Sequence, residues 1–223
     1  MFIINFKNYE EIAGTNSIRL AKAASKIAKK HKTRIVVCPP LHLISEVAKL
    51  PVVVFSQHVD NAKIGSSTGF AVPELLKTSN VGGSLVNHSE HRISYQEIEE
   101  IIFRLRNLKM VSVLCVRDVD EATAYAKLGP DFIAIEPPEL IGSGKAVSQE
   151  KPEIITDSVK AVKEAGNATR LLCGAGIISG EDVRKALDLG ADGILVASGI
   201  VKSKDWEKAI EEFSLAFKNA GKI

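Results

Sequence analysis

The stretch FIAIEPPELIGSGK, residues 132–145, sets out in miniature the plan of the whole chain. Phe132 to Ile135 are apolar without interruption, and the run stops at a carboxylate, Glu136. An unbroken apolar run of this length predicts a strand buried on both faces. Pro137-Pro138 cannot extend it, and Gly142-Ser143-Gly144 makes a loop behind it. A helical pattern follows, KPEIITDSVKAVKEAG, with Pro152 near its first turn and Gly166 after its last. The unit is therefore a buried strand, a polar tip, a loop and a helix.

Eight runs of this kind occur: FIIN (2–5), RIVVC (34–38), VVVFS (52–56), SLVN (84–87), VSVLC (111–115), FIAIE (132–136), RLLCG (170–174) and GILVA (193–197). Segments of helical spacing separate them. TNSIRLAKAASKIAKK offers Thr15 or Asn16 as a cap and an apolar stripe at Ile18, Ala21, Ala24 and Ile27. SYQEIEEIIFRL carries Ser94 and Glu97 at capping-box spacing. DVDEATAYAKLG and SGEDVRKALDLG stop at Gly129 and Gly190, and DWEKAIEEFSLAFKNAG closes the chain. The segments at 40–49 and 72–79 are shorter.

Eightfold strand–helix alternation predicts an α/β chain of the (β/α)8 barrel class, one domain spanning residues 1–223. The alternative is an open doubly wound sheet, which usually shows a glycine-rich turn after its first strand. Lys7-Asn8-Tyr9 stands there instead. The 223 residues fall short of the ~250 typical of such barrels, so some helices are expected to be trimmed, around strands 3 and 4.

Composition narrows the function. Lys plus Arg is 29 and Asp plus Glu 27, a net charge of +2, too balanced to suggest nucleic acid as a partner. The basic run from Lys26 to Arg34 reads as a solvated helix face and its exit. Cys38, Cys115 and Cys173 share no metal-ligand spacing and sit at or near the ends of apolar runs. They read as buried reduced thiols, which points to the cytoplasm. No apolar stretch approaches the ~18 residues of a membrane span, and the start, MFIINFKNYEE, lacks the pattern of a signal peptide.

Catalytic groups of such barrels come from the C-terminal strand ends and the loops after them. Strand 1 ends Asn5-Phe6-Lys7, strand 4 ends Asn87-His88-Ser89-Glu90, and strand 6 ends at Glu136. Lys7, His88 and Glu136 thus share one face of the barrel. None has a neighbour at metal-binding spacing, so a site without metal or cofactor is expected. Each has a plainer reading alone: a surface lysine, a structural histidine, a stray acid. His31, His42, His58 and His91 keep that plainer reading. Cys173-Gly174-Ala175-Gly176 after strand 7 and Val196-Ala197-Ser198-Gly199 after strand 8 suit close backbone approach to a phosphate, with Ile141-Gly142 as a third arm.

These motifs, NFK at 5–7, NHSEHR at 87–92, AIEPPELIGSGK at 134–145, CGAGI at 173–177 and ILVASGI at 194–200, resemble the triosephosphate isomerase family, in its shorter archaeal type. That family is itself a standard illustration of tuned acid–base chemistry. The resemblance implies a TIM barrel that interconverts dihydroxyacetone phosphate and D-glyceraldehyde 3-phosphate, a step of glycolysis and gluconeogenesis. It implies Glu136 as general base, His88 as neutral electrophile and Lys7 as the positive charge. Asn5 and Phe6 would lie at the substrate, with Ile141, Gly142, Gly176, Ala197 and Ser198 around its phosphate, and Glu90 would anchor Lys7. Pro137 to Gly144 would be a closing lid. The family's assembly implies a homodimer or homotetramer through the loop from Asn61 to Gly69, with Thr68 at the interface. Two departures stand out: His91 where an arginine is common, and Ala197-Ser198 where longer members have paired glycines.

Rival readings are a phosphosugar epimerase, a Schiff-base aldolase and a non-catalytic phosphometabolite sensor. The epimerase would need metal ligands at several strand ends, where only His88 is available. The aldolase would need a lysine deep in a middle or late strand. The sensor would have no use for Lys7, His88 and Glu136 together.

Overall fold

The computed structural model describes residues 1–166 and 168–221. Eight parallel strands pair in chain order and close into a barrel. They are β1 (Phe2–Asn5), β2 (Ile35–Cys38), β3 (Val53–Ser56), β4 (Gly83–Val86), β5 (Val111–Val116), β6 (Phe132–Ile135), β7 (Arg170–Cys173) and β8 (Gly193–Val196). The barrel reading holds and the open sheet is excluded, because β1 pairs with β8 through Phe2↔Ile194, Ile3↔Leu195 and Ile4↔Val196.

Alternation along the strands divides the core into two layers. Ile3, Val36, Cys38, Phe55, Leu85, Val113, Cys115, Phe132, Ala134, Leu172 and Leu195 fill the barrel interior. Phe2, Ile4, Phe6, Val37, Leu114, Ile133, Leu171 and Ile194 belong to the larger layer between strands and helices. All three cysteines are free and buried. Burial pushes the Cys38 and Cys173 thiols well above the usual range.

The outer ring consists of α1 (Asn16–His31), α2 (Ile44–Val47), α3 (Pro73–Thr78), α4 (Tyr95–Asn107), α5 (Val119–Ala126), α6 (Val147–Glu150), α7 (Pro152–Glu164), α8 (Gly180–Asp188), α9 (Ser198–Val201) and α10 (Trp206–Asn219). Phe213 and Phe217 of α10 stack on Phe2 with centroids 5.8 and 6.0 Å apart, docking the last helix on the first strand. The capping box at Ser94 and Glu97 is present in full.

The expected shortening falls on α2 and α3, the helices before and after β3, while α4 after β4 runs 13 residues. Two expectations about α1 need correction. Thr15 sits at the start of α1 but its side chain caps nothing, and Asn16 turns its amide back to the Glu11 carbonyl at 3.0 Å. The buried face of α1 is Ser17, Leu20, Ala21, Ala23, Ala24 and Ile27, so Ala21, Ala24 and Ile27 of the expected stripe hold and Ile18 is only half-buried at its edge.

Gly83 shows how tightly β4 is held. A Cβ there would lie 2.4 Å from the Val111 carbonyl oxygen and 2.9 Å from the Phe55 ring. Gly83→Ala should lower unfolding stability by about 2 kcal/mol, as overpacking of a core does, measured as a lower urea midpoint with an unchanged slope.

Candidate active site

The site is built at the C-terminal ends of the strands. Ile3 and Asn5 share inward parity on β1, and Phe132, Ala134 and Glu136 share it along β6. The two polar residues therefore end up at the mouth, above the packed interior. Phe6 has the opposite parity. It lies fully buried among the helices and does not line the cleft, contrary to the expectation that it touches substrate.

Lys7 follows with φ 47°, a left-handed conformation costly for a side-chain-bearing residue. Its N–H donates to Asn5 Oδ1 at 2.9 Å. Its carbonyl accepts from Gln57 Nε2 at 3.0 Å, and the same nitrogen donates to the Cys38 carbonyl at 3.0 Å. The ends of β1, β2 and β3 are thus pinned together around Lys7. Its Nζ donates to Glu90 Oε1 at 2.8 Å, so Glu90 stands behind the lysine rather than in the cleft. Gln57 was not among the expected residues, although the strand-end rule applied to β3 points to it.

Asn87 breaks β4 with φ 61°. Its Oδ1 accepts the Ile93 N–H at 3.1 Å and its Nδ2 donates to the Cys115 carbonyl at 3.2 Å. This turn carries the buried His88 into the cleft. His88 Nδ1 accepts the Glu90 N–H at 3.2 Å. A nitrogen that accepts carries no proton, so in the neutral ring the hydrogen sits on Nε2. That Nε2 faces the cleft, 3.6 Å from Glu136 Oε2.

Glu136 is buried, its N–H held by the Val116 carbonyl at 2.8 Å, while Oε2 has no hydrogen-bond partner among the described residues. The carboxylate fits only because residue 174 is glycine: a Cβ there would lie 2.5 Å from Glu136 Cγ. Burial first, then the Glu136 charge, raise the Cys115 thiol far above the usual range, so it stays protonated beside the acid.

Two backbone arms face these groups. Ala175 and Gly176 both have positive φ, 65° and 70°. Ala197 precedes α9, whose first amides, at Ser198 and Gly199, have no carbonyl to bond within the helix. Ile141 and Gly142 reach the same cleft, and Tyr9, Ile177, Leu195 and Val196 complete its lining. The segment after Glu136 makes a single tight turn at Pro138–Leu140. Ser143 Oγ fastens it by donating to the Leu140 carbonyl at 2.8 Å. A Cβ on Gly176 would collide with the Lys145 carbonyl at 1.8 Å, so the segment's far end rests on the first arm.

Of the histidines outside the cleft, His31 pairs with Glu211 at 2.6 Å on the helix ring, and His42 lines a groove beside the loop after β3. His91 stacks on His58.

The sequence compares closely with known proteins. The family model described as triosephosphate isomerase matches residues 1–213. The triosephosphate isomerase of Cenarchaeum symbiosum is 52% identical over 216 residues, covering 97% of each chain. That of Methanothermus fervidus is 43% identical over 215 residues, covering 95% of this chain and 96% of its own. The fold also matches the crystal structure of triosephosphate isomerase from Bartonella henselae, with a TM-score of 0.70, 18% identity, and coverage of 95% and 98%.

Gly174→Ala should displace the Glu136 side chain while leaving the strands paired. Steady-state assay is expected to show kcat down by about 10²-fold, the usual cost of misplacing a reacting group by an ångström, with the circular dichroism unchanged.

Proposed function

The chain belongs to the triosephosphate isomerase family, and on that premise we propose how its own residues interconvert dihydroxyacetone phosphate and D-glyceraldehyde 3-phosphate. The reading rests on one observation: a buried carboxylate with an unpartnered oxygen faces an imidazole Nε2 in a cleft that also holds Lys7.

Glu136 is the general base. Its Oε2 takes the proton from the carbon beside the carbonyl, and the same carboxyl returns it to the neighbouring carbon. His88 donates its Nε2–H to the substrate oxygens as negative charge develops there. Lys7 Nζ supplies positive charge to the same oxygens, and Asn5 adds a hydrogen bond. Donors fixed in advance stabilise such charge without reorganising. The phosphate rests on amides near Gly176, Ala197 and Ser198. Pro137 to Gly144 closes over it as a lid, bringing Ile141 and Gly142 to the phosphate and excluding water from the enediolate.

The chain works as one barrel domain in the cytoplasm, where its buried thiols stay reduced. It assembles with copies of itself, as a dimer or tetramer, through the loop Asn61 to Gly69 with Thr68 at the contact. Support comes from Ile64 and Phe70, which stand 62% and 56% exposed on this loop and its exit.

Turnover of either triose phosphate by the purified protein, measured with chelator present, tests the reading; a protein that binds the substrate without converting it would be a sensor. Glu136→Gln should keep affinity for a phosphorylated transition-state analogue while kcat falls about 10³-fold. Near wild-type turnover would remove Glu136 as the base. Ile64→Asp should shift the sedimentation profile to a smaller species, and an unchanged profile would move the interface elsewhere.

A further inference from the structure

The rings of His58 and His91 lie face to face, with centroids 3.8 Å apart and planes within 17°. Each ring belongs to a different piece of the site's support. His58 Nε2 is 3.3 Å from Asp60 Oδ1. Asp60 in turn closes the neck of the loop after β3: its N–H donates to the Ala71 carbonyl at 3.0 Å, and its Oδ2 accepts the Ala71 N–H at 2.7 Å. His91 closes the turn that carries His88 and Glu90, its N–H donating to the His88 carbonyl at 2.8 Å. The stack therefore joins the loop neck to the turn that holds the electrophile and the partner of Lys7.

We propose that His58 and His91 are a positioning pair for the turn from His88 to His91, effective only while the two rings do not both carry a proton. The inference rests on the isomerase reading of that turn. Neutral rings gain from packing against each other, and a protonated ring is held over the face of a neutral one by cation–π attraction. Two imidazolium rings at this separation repel. Burial first, then His91, lower the affinity of His58 for a proton, against the pull of Asp60 and Glu97. His42 and Asp60 line the same groove, and Glu90, one residue before His91, holds Lys7. The pair therefore takes up its protons in two coupled steps. The second opens the stack, shifts Glu90 and loosens both the Lys7 ion pair and the bond to His88 Nδ1.

The test compares pH profiles of kcat/KM for the wild type, His58→Gln and His91→Gln, alongside ring titrations by NMR. Each variant should be weaker than wild type near about pH 8. That advantage of the wild type should shrink progressively as the pH falls below about 6.5, because only the wild type loses its stack. The NMR titration should show the two rings coupled in the wild type, each responding when the other takes up its proton, and a single step for the ring left in each variant. A wild-type-to-variant ratio independent of pH, in an active enzyme, overturns this inference alone. So does independent titration of the two rings. Isomerase activity at no pH would sink the functional reading and this inference with it.

Discussion

In a closed parallel barrel, side-chain direction is decided by parity, and parity allows no local exceptions. A one-residue slip in any strand would exchange its inner and outer faces and break the register of both neighbours. Asn5 and Glu136 reach the mouth because Ile3, Phe132 and Ala134 beneath them fill the interior. Phe6 is lost to the outer layer for the same reason. The chemistry at the rim inherits its positions from apolar packing several ångströms below.

Where parity does not deliver a side chain to the cleft, backbone strain does. Lys7, Asn87 and Ala175 all carry positive φ without being glycine. Each departure costs on the order of 1 kcal/mol or more, and neighbouring bonds oppose it. At Lys7 these come from the Asn5 and Gln57 side chains, and at Asn87 from its own amide. In each case the strain sits at the rim of the cleft lined by Lys7, His88 and Ala175.

Much of this was legible in the sequence. The eight apolar runs fixed the barrel, because continuous Val, Ile and Leu segments bounded by turn residues admit few other arrangements. Lys7, His88 and Glu136 were legible because each ends such a run. Other features depend on geometry that periodicity does not encode. Phe6 was misplaced because a motif names neighbours without saying which face each occupies. Gln57 acts on backbone carbonyls distant in sequence, and Tyr9 enters the cleft from a loop. Tyr9 lacks a local signature, whereas Gln57 could have been read from the end of β3. The pairing of His58 with His91 needs two strand ends brought together.

The collision awaiting any side chain at Gly176 makes the covering segment and the Ala175–Gly176 arm one fitted surface, not two parts. The segment is for that reason not a module. A segment from Pro137 to Lys145 transplanted from a relative would meet an arm shaped for another carbonyl path. Exchange between family members is workable only when the arm travels with the segment, and substitutions in the two should accumulate together as lineages diverge.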